Sequence, residues 1–305
     1  MTDVSRFGKV AVLMGGPSSE REISLRSGAA VLDALQEANV DATAIDVSGD
    51  VFERLRAGKF DRAFIALHGS LGEDGCIQGG LEVIGLPYSG SGVLASGICM
   101  NKRMTKQIWS GRGIPTPGFQ VIKGSVDPDA LVAELGLPMI LKPVSQGSSI
   151  GITKVDTREE VVPAWKHACD FEDTVIAEQW IEGKEYTVAV LDGQALPAIR
   201  LETPRTFYDF DAKYESGDTQ YHCPSGLSAA QETAIKAQVL QAFAATAASG
   251  WGRVDLIVDN HEQPWFLEIN TVPGMTDHSL VPMAAKAQGI GFVELVLRIL
   301  ETSLA

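Results

Sequence analysis

Apolar runs closed by glycine alternate with helical patterns over about the first hundred residues. Val10 to Met14, in "KVAVLMGG", form an unbroken apolar run ending in two glycines. This is the pattern of a parallel strand covered on both faces and stopped by a tight turn. "EISLRSGAAVLDALQEA" follows with helical spacing, placing Ile23, Leu25, Ala29, Val31, Leu32 and Leu35 on or near one stripe. "DATAIDV" and "RAFIALHG" predict further buried strands, and "CIQGGLEVIG" a short helix. Such alternation predicts a doubly wound, Rossmann-like parallel sheet.

The pattern then changes. "SGVLASGICMNKRMTKQIWSGRG" is helical throughout, and "IPTPGF" opens a second module. In it "PMILKPV" and "TVIAEQWIEG" predict strands around a flexible "SQGSSIG" loop. "KEYTVAVLDGQALPAIRL" predicts a hairpin turning at Asp192-Gly193. A polar, aromatic-dotted loop over residues 205–224 precedes an amphipathic helix that Ser228 and Glu232 suit at its first turn. "GRVDLIVDN" and "PWFLEIN" close a third module as strands, and a helix ends the chain. The expected fold class is α/β with α+β modules, with domains at residues 1–101, 102–185 and 186–305.

Composition narrows the possibilities. With 305 residues there is room for several cores, and a net charge of −14 argues against a general nucleic-acid binder. No apolar run is long enough for a membrane span, and the N-terminus lacks a secretion pattern. Four cysteines, Cys76, Cys99, Cys169 and Cys223, lack metal or disulfide spacing. Reduced thiols in a cytoplasmic protein are the simplest expectation.

The candidate chemistry lies where strands end. In "WFLEINTVPGMT", strict alternation turns Phe266, Glu268 and Asn270 one way and Leu267 and Ile269 the other. If this strand pairs antiparallel with "GRVDLIVD", Asp255 meets Glu268 and Asn270 on one face. Three oxygen-bearing side chains suit Mg²⁺, which takes one or two protein carboxylates plus phosphate and water. A nucleotide would then need cations and a flexible loop elsewhere. Lys142 stands just before "SQGSSIG", a loop able to fold over phosphates, and Lys102 is a second candidate. No P-loop signature is present. "AEQWIEGKE" offers a backbone edge, Trp180, and two carboxylates, Glu178 and Glu185, for a base and a sugar. Glu20, in "GGPSSEREIS", could hold an ammonium or stabilise a helix start. "HGSLGEDGCIQG" places His68, Glu73 and Asp74 among glycines in a manner unlike a purely structural turn, yet without zinc spacing.

Taken in order, "GGPSSEREISLRSG", "HGSLGEDGCIQG", "LKPVSQGSSIG", "FYDFDAKY", "GWGRVDLIV" and "LEINTVPGMTDHSLVP" resemble the D-alanine–D-alanine ligases of the ATP-grasp superfamily. The resemblance covers essentially the whole chain. It implies an ATP-grasp fold behind a Rossmann-like domain, with ATP held between the second and third domains. It also implies a cytoplasmic homodimer that joins two D-alanines for peptidoglycan precursors. Asp255, Glu268 and Asn270 match the family's ligands for two Mg²⁺ (or Mn²⁺) ions. Lys102, Lys142 and Ser148 match phosphate contacts, and Glu178, Trp180, Ile181 and Glu185 the adenosine segment. Glu20, aided by His68, matches the receptor of the first D-alanine's ammonium, and Ser148 and Tyr214 a hydroxyl pair linked to Glu20. Arg253, Ser279 and Leu280, with Lys213 nearby, match the second D-alanine's carboxylate site. Gly274 and Arg253 match the groups facing the developing oxyanion. A monovalent cation is a further candidate.

The implied reaction is sequential: a D-alanine carboxylate attacks the γ-phosphate, and the second D-alanine's amine then displaces phosphate from the acyl phosphate. "SQGSSIG" and residues 205–224 are the expected lids, keeping water from that intermediate. Tyr214 favours an amide product, because ester-forming relatives lack tyrosine there. Asn101, Gln146 and Gln179 depart from the aspartate, glutamate and lysine common in relatives. Two other readings stay open: an ATP-grasp ligase for another amino acid, and a nucleotide-binding regulator without turnover.

Overall fold

The computed structural model describes residues 3–204, 218–276 and 278–304. Lys213 and Tyr214 lie outside them. The first module is a parallel sheet with β1 (Lys9–Met14) between β2 (Asp41–Asp46) and β3 (Arg62–Ile65). Val10 to Leu13 are fully buried, as a central strand covered on both faces requires. β2 is less buried than its apolar pattern suggests: Asp41, Thr43 and Ala44 are exposed, because the strand forms an edge of the sheet. The helices are α1 (Arg21–Glu37), α2 (Val51–Gly58), α3 (Cys76–Ile84) and α4 (Val93–Met100). The buried face of α1 carries Ser24, Ser27 and Gly28 between Ile23 and Val31, while Ala29 is exposed.

The helical stretch around Asn101 is two helices. Asn101 leaves helical geometry and its Oδ1 accepts the Met104 N–H, capping α5 (Lys102–Gly111). α5 docks on the third module through Trp109, which is fully buried, packs edge-on to Phe266 at 5.9 Å, and donates from Nε1 to the Ala242 carbonyl at 3.0 Å.

The second module is a four-stranded sheet of β4 (Phe119–Lys123), β7 (Thr174–Gln179), β5 (Met139–Pro143) and β6 (Thr153–Val155), in that order. α6 (Pro128–Leu135) and α7 (Val161–Cys169) complete its core. The third is built on β8 (Gly183–Leu191), which turns at Asp192-Gly193 into β9 (Gln194–Ala195). β10 (Ile199–Glu202), β11 (Gln220–His222), β12 (Trp251–Asp259) and β13 (Pro264–Asn270) give the order β11-β10-β8-β12-β13. α8 (Ala229–Ala245) covers this sheet, capped by Ser228 with Gln231 in a reciprocal box.

The chain ends in two helices, α9 (Leu280–Ala287) and α10 (Phe292–Glu301), where the apolar pattern suggests one. Leu295, Val296, Ile299 and Leu300 are fully buried, and they share a core with Val10 to Met14, Phe64 and Trp251. The C-terminal helices therefore pack back onto the first module and bring the loop after β13 beside the loops after β1 and β3.

Candidate active site

β12 and β13 pair antiparallel, with Asp255 opposite Glu268 and Arg253 opposite Asn270. The register slips between Asp255 and Leu256, so Leu256 faces Phe266 and Leu267 is the extra residue of a bulge. Strict alternation therefore fails at this point. Phe266 is fully buried in the core with Ile269, whereas Leu267 and Glu268 both border a cavity. An inserted residue reverses the facing of everything before it, which is why Phe266 does not share a side with Glu268.

That cavity has a volume of about 430 Å³ and lies between the second and third modules. Lys102, Lys142, Glu178, Trp180, Ile181 and Glu185 line it, and so do Asp255 and Glu268. On the second module, β5 and β7 place Ile140 opposite Glu178, with Lys142 two residues along. Lys142 Nζ lies 3.0 Å from Glu178 Oε1. Burial would raise the Glu178 carboxyl, but the charges of Lys106 and Lys142 hold it below its ordinary value. Lys102 Nζ donates to the Gln146 carbonyl at 2.6 Å and lies 3.4 Å from Glu268 Oε2, tying the "SQGSSIG" loop to β13. Trp180 carries the Lys154 ammonium over its ring at 5.0 Å.

Asp255 is buried among polar partners. Arg253 donates to both its oxygens, at 2.8 and 2.7 Å; Thr187 Oγ1 donates at 2.6 Å and Asn270 Nδ2 at 3.0 Å. Among the described residues no group of three His, Cys, Asp or Glu side chains is arranged as a metal site. A cation bound here would rest on the Asp255 and Glu268 carboxylates and the Asn270 amide oxygen, completed by phosphate and water. This all-oxygen donor set fits Mg²⁺ once Asp255 releases Arg253.

A second cavity, of about 380 Å³, lies against the first module. Glu20, His68, Ser148, Arg253, Ser279 and Leu280 line it, together with Asn270, Gly274 and Glu73. Glu20 sits at the start of α1, and the Ser148 hydroxyl donates to it across the modules. Gly69, at φ +69°, permits this placement: a Cβ there would lie 2.6 Å from Glu20 Oε2. Ser148 and Ser149 also have positive φ, 49° and 59°, a conformation uncommon for non-glycine residues.

His68 joins first and third modules. Ser27 Oγ, which accepts from Met275 N at 3.1 Å, is 3.0 Å from His68 Nε2, while Nδ1 is 2.9 Å from the Val272 carbonyl. The ring is consistent with a neutral Nδ1–H tautomer that donates to Val272 and accepts the Ser27 proton. Burial keeps its pKa below the ordinary value, against the opposing charge of Glu20. Glu73 accepts from Gly69 N at 2.7 Å and Val272 N at 3.3 Å. Burial, reinforced by Glu20, pushes its carboxyl up to about 8. Ser279 Oγ accepts from Thr276 N at 2.9 Å, shaping the loop after β13.

Every described residue given a site role from the sequence thus borders one of two cavities, and Gly147 borders both, whereas Asp74 borders neither and instead accepts from Leu71 N and Cys76 N in its own turn. Lys213 and Tyr214 are outside the described residues. Two more groups shape the site: Glu73, singled out in the sequence beside His68 without a role of its own, and Lys106. Lys106 is four residues after Lys102 on α5, so helical spacing could have placed both on one inward face.

Comparisons agree along nearly the whole chain. A family profile described as D-ala D-ala ligase N-terminus matches residues 9–53 and 50–91, and one described as D-ala D-ala ligase C-terminus matches residues 108–301. A D-alanine–D-alanine ligase of Ectopseudomonas mendocina is 55% identical over 301 residues, 99% of this chain and 96% of that one. One of Alkalilimnicola ehrlichii is 57% identical over 294 residues, covering 96% and 94%. The crystal structure of the Bacillus anthracis D-alanine–D-alanine ligase superposes with a TM-score of 0.88 at 35% identity, covering 97% of each chain. Its complex with ATP gives 0.86 at 33% identity with the same coverage. With both halves matched and the relatives aligned nearly end to end, this chain belongs to the D-alanine–D-alanine ligase family.

Proposed function

We propose that the protein ligates two D-alanines at the expense of ATP, through a D-alanyl phosphate, to supply the dipeptide of peptidoglycan precursors. One observation carries this reading: a single loop edges both cavities. Gly147 and Ser149 border the cavity with the lysines, and Gly147 and Ser148 the cavity with Glu20. A phosphoryl group held at the loop can therefore reach a carboxylate in the second cavity.

In the first cavity Lys102 and Lys142 neutralise phosphate charge, and Glu178, Trp180, Ile181 and Glu185 receive the adenosine. Asp255, Glu268 and Asn270 would hold two Mg²⁺ (or Mn²⁺) ions, which supply charge neutralisation across the phosphates when bound. In the second cavity Glu20 receives the ammonium of the first D-alanine and Ser148 fixes the Glu20 carboxylate. Arg253, Ser279 and Leu280 receive the second D-alanine's carboxylate, and Arg253 with the Gly274 N–H faces the developing oxyanion. Tyr214 and Lys213 are assigned to this side on resemblance. Support for three functional units, residues 1–101, 102–185 and 186–305, comes from the three sheets.

No single helix among the described residues is long and apolar enough to cross a membrane. The four cysteines are unpaired, which suits a cytoplasmic setting. A homodimer follows from the resemblance, and exposed Val83, Val93 and Leu94 on α3 and α4 offer an apolar face for it. Sedimentation tests that assembly: a monomer at micromolar concentration refutes it. A panel of D- and L-amino acids and D-lactate in a coupled ADP assay tests the substrate. The proposal predicts turnover with D-alanine, and stronger turnover with any other member of the panel contradicts it.

A further inference from the structure

Lys106 is the most deeply buried charged side chain near the nucleotide cavity, with no exposed surface, and it does not border that cavity. Its ammonium sits in a closed setting. Nζ donates to Thr116 Oγ1 at 2.7 Å, lies 3.4 Å from Glu178 Oε2, and is 5.9 Å from the centre of the Phe119 ring. Thr116 Oγ1 in turn donates to the Phe266 carbonyl at 2.8 Å, fixing the lysine head to β13. Glu178 thus stands between two cations of different freedom. Lys142 borders the cavity on its Oε1 side, and Lys106 is locked behind its Oε2 side. Glu178 Oε1 is buried, and its contact is the Lys142 ammonium at 3.0 Å.

Of the two cations beside Glu178, a phosphate entering the cavity attracts only the one that can reach it, which is Lys142. If Lys142 turned away and nothing replaced it, Glu178 would be left as an uncompensated buried carboxylate, which is strongly unfavourable. Resting on the nucleotide reading above, we propose that Lys106 is a positioning residue, a fixed countercharge that keeps Glu178 ionised and in place after Lys142 moves to the phosphates. It does so without touching the nucleotide. Burial brings the Lys106 ammonium down to about 8, so it carries its charge at neutral pH.

Two measurements on the full-length enzyme test this: the Kd of ADP with Mg²⁺ by calorimetry without D-alanine, and KM for ATP against kcat. Lys106→Met should weaken ADP binding and raise the KM for ATP by about tenfold, with kcat within about threefold of the parent, because only nucleotide-bound states lose the countercharge. Lys106→Arg should recover most of the loss. In a Glu178→Gln background, Lys106→Met should change ADP affinity by less than about twofold, since no carboxylate remains to balance. A folded Lys106→Met with ADP affinity within about twofold of the parent overturns the proposal, as does an equal loss in the Glu178→Gln background. Should Lys106→Met fail to fold, Thr116→Val loosens the same ammonium. A rise of about threefold in ADP Kd supports the assignment, and an unchanged Kd overturns it. A parent that binds ADP but forms no dipeptide would refute the ligase reading while leaving this test intact.

Discussion

His68→Leu removes one hydrogen bond from the first module to the loop after β13 and a second to Ser27 on α1, while keeping a side chain of comparable bulk. The Val272 carbonyl loses its donor at 2.9 Å and the Ser27 hydroxyl its acceptor at 3.0 Å. Each lost bond is worth about 1 kcal/mol net, and leaving its buried partner unsatisfied raises the total to about 3 kcal/mol. For a protein of this size that corresponds to a fall of about 5–8 °C in Tm. Because Val272 leads into Pro273 and Gly274 on the second cavity, a shifted loop should also raise the KM for D-alanine by about tenfold. The pH dependence makes the prediction sharper. His68 has a folded pKa below its ordinary 6.5, so the unfolded chain takes up a proton that the native state refuses. The imidazole's contribution is therefore present above pH 6.5 and is lost as pH falls through the lower folded value. Thermal denaturation of both proteins between pH 5 and pH 8 should show their Tm gap narrowing toward acid, with any common acid effects cancelling. A Tm within about 1 °C of the parent at pH 7.5, or a gap that does not vary with pH, refutes this account of the ring.

Three further outcomes follow from the site. Glu268→Gln should lower turnover by about a hundredfold or more with little change in Tm, since Glu268 is part-exposed and its proposed role is to hold the cation at the phosphates; near-normal turnover removes it from that role. Glu73, raised to about 8 from 4.5, contributes stability that is complete below pH 4.5 and lost as pH rises through 8. Glu73→Gln should therefore flatten the alkaline decline in Tm of the substrate-free enzyme, and an unchanged slope contradicts the raised value. Ser148→Ala removes the hydroxyl that donates to Glu20 and should raise the KM for D-alanine by about threefold to tenfold; an unaltered KM would separate the loop from Glu20.

The parts legible in the sequence were those where local chemistry and periodicity agree. Val10 to Met14 read as a covered strand, and Asp192-Gly193 as a tight turn. Asp255 and Glu268 were brought together by counting along two strands joined by a short turn. What escaped depended on contacts between distant segments. The bulge at Leu267 inverts the facing of Phe266, and no residue in "WFLEIN" announces an extra residue in the ladder. Ser24 and Ser27 break the apolar stripe of α1, yet they are buried because Gly15, Ala66 and His68 satisfy them. Lys106 has the composition of a solvated helix charge, and only Glu178 and Thr116, brought in from other elements, make its burial tolerable. The final helices read as an end piece, but their apolar faces complete the core of the first module. This return path positions the Val272–Gly274 segment against His68 and Glu73.

In the proposed reaction a phosphoryl group passes from the nucleotide cavity across the Gly147 loop to a D-alanine carboxylate. The most direct measurement is ADP release followed alongside dipeptide formation in purified protein with ATP, Mg²⁺ and D-alanine. One D-alanyl-D-alanine should form per ADP, with negligible ADP release when D-alanine is omitted. ADP formed at the same rate without D-alanine, or no dipeptide from a folded, nucleotide-binding preparation, would contradict that reaction.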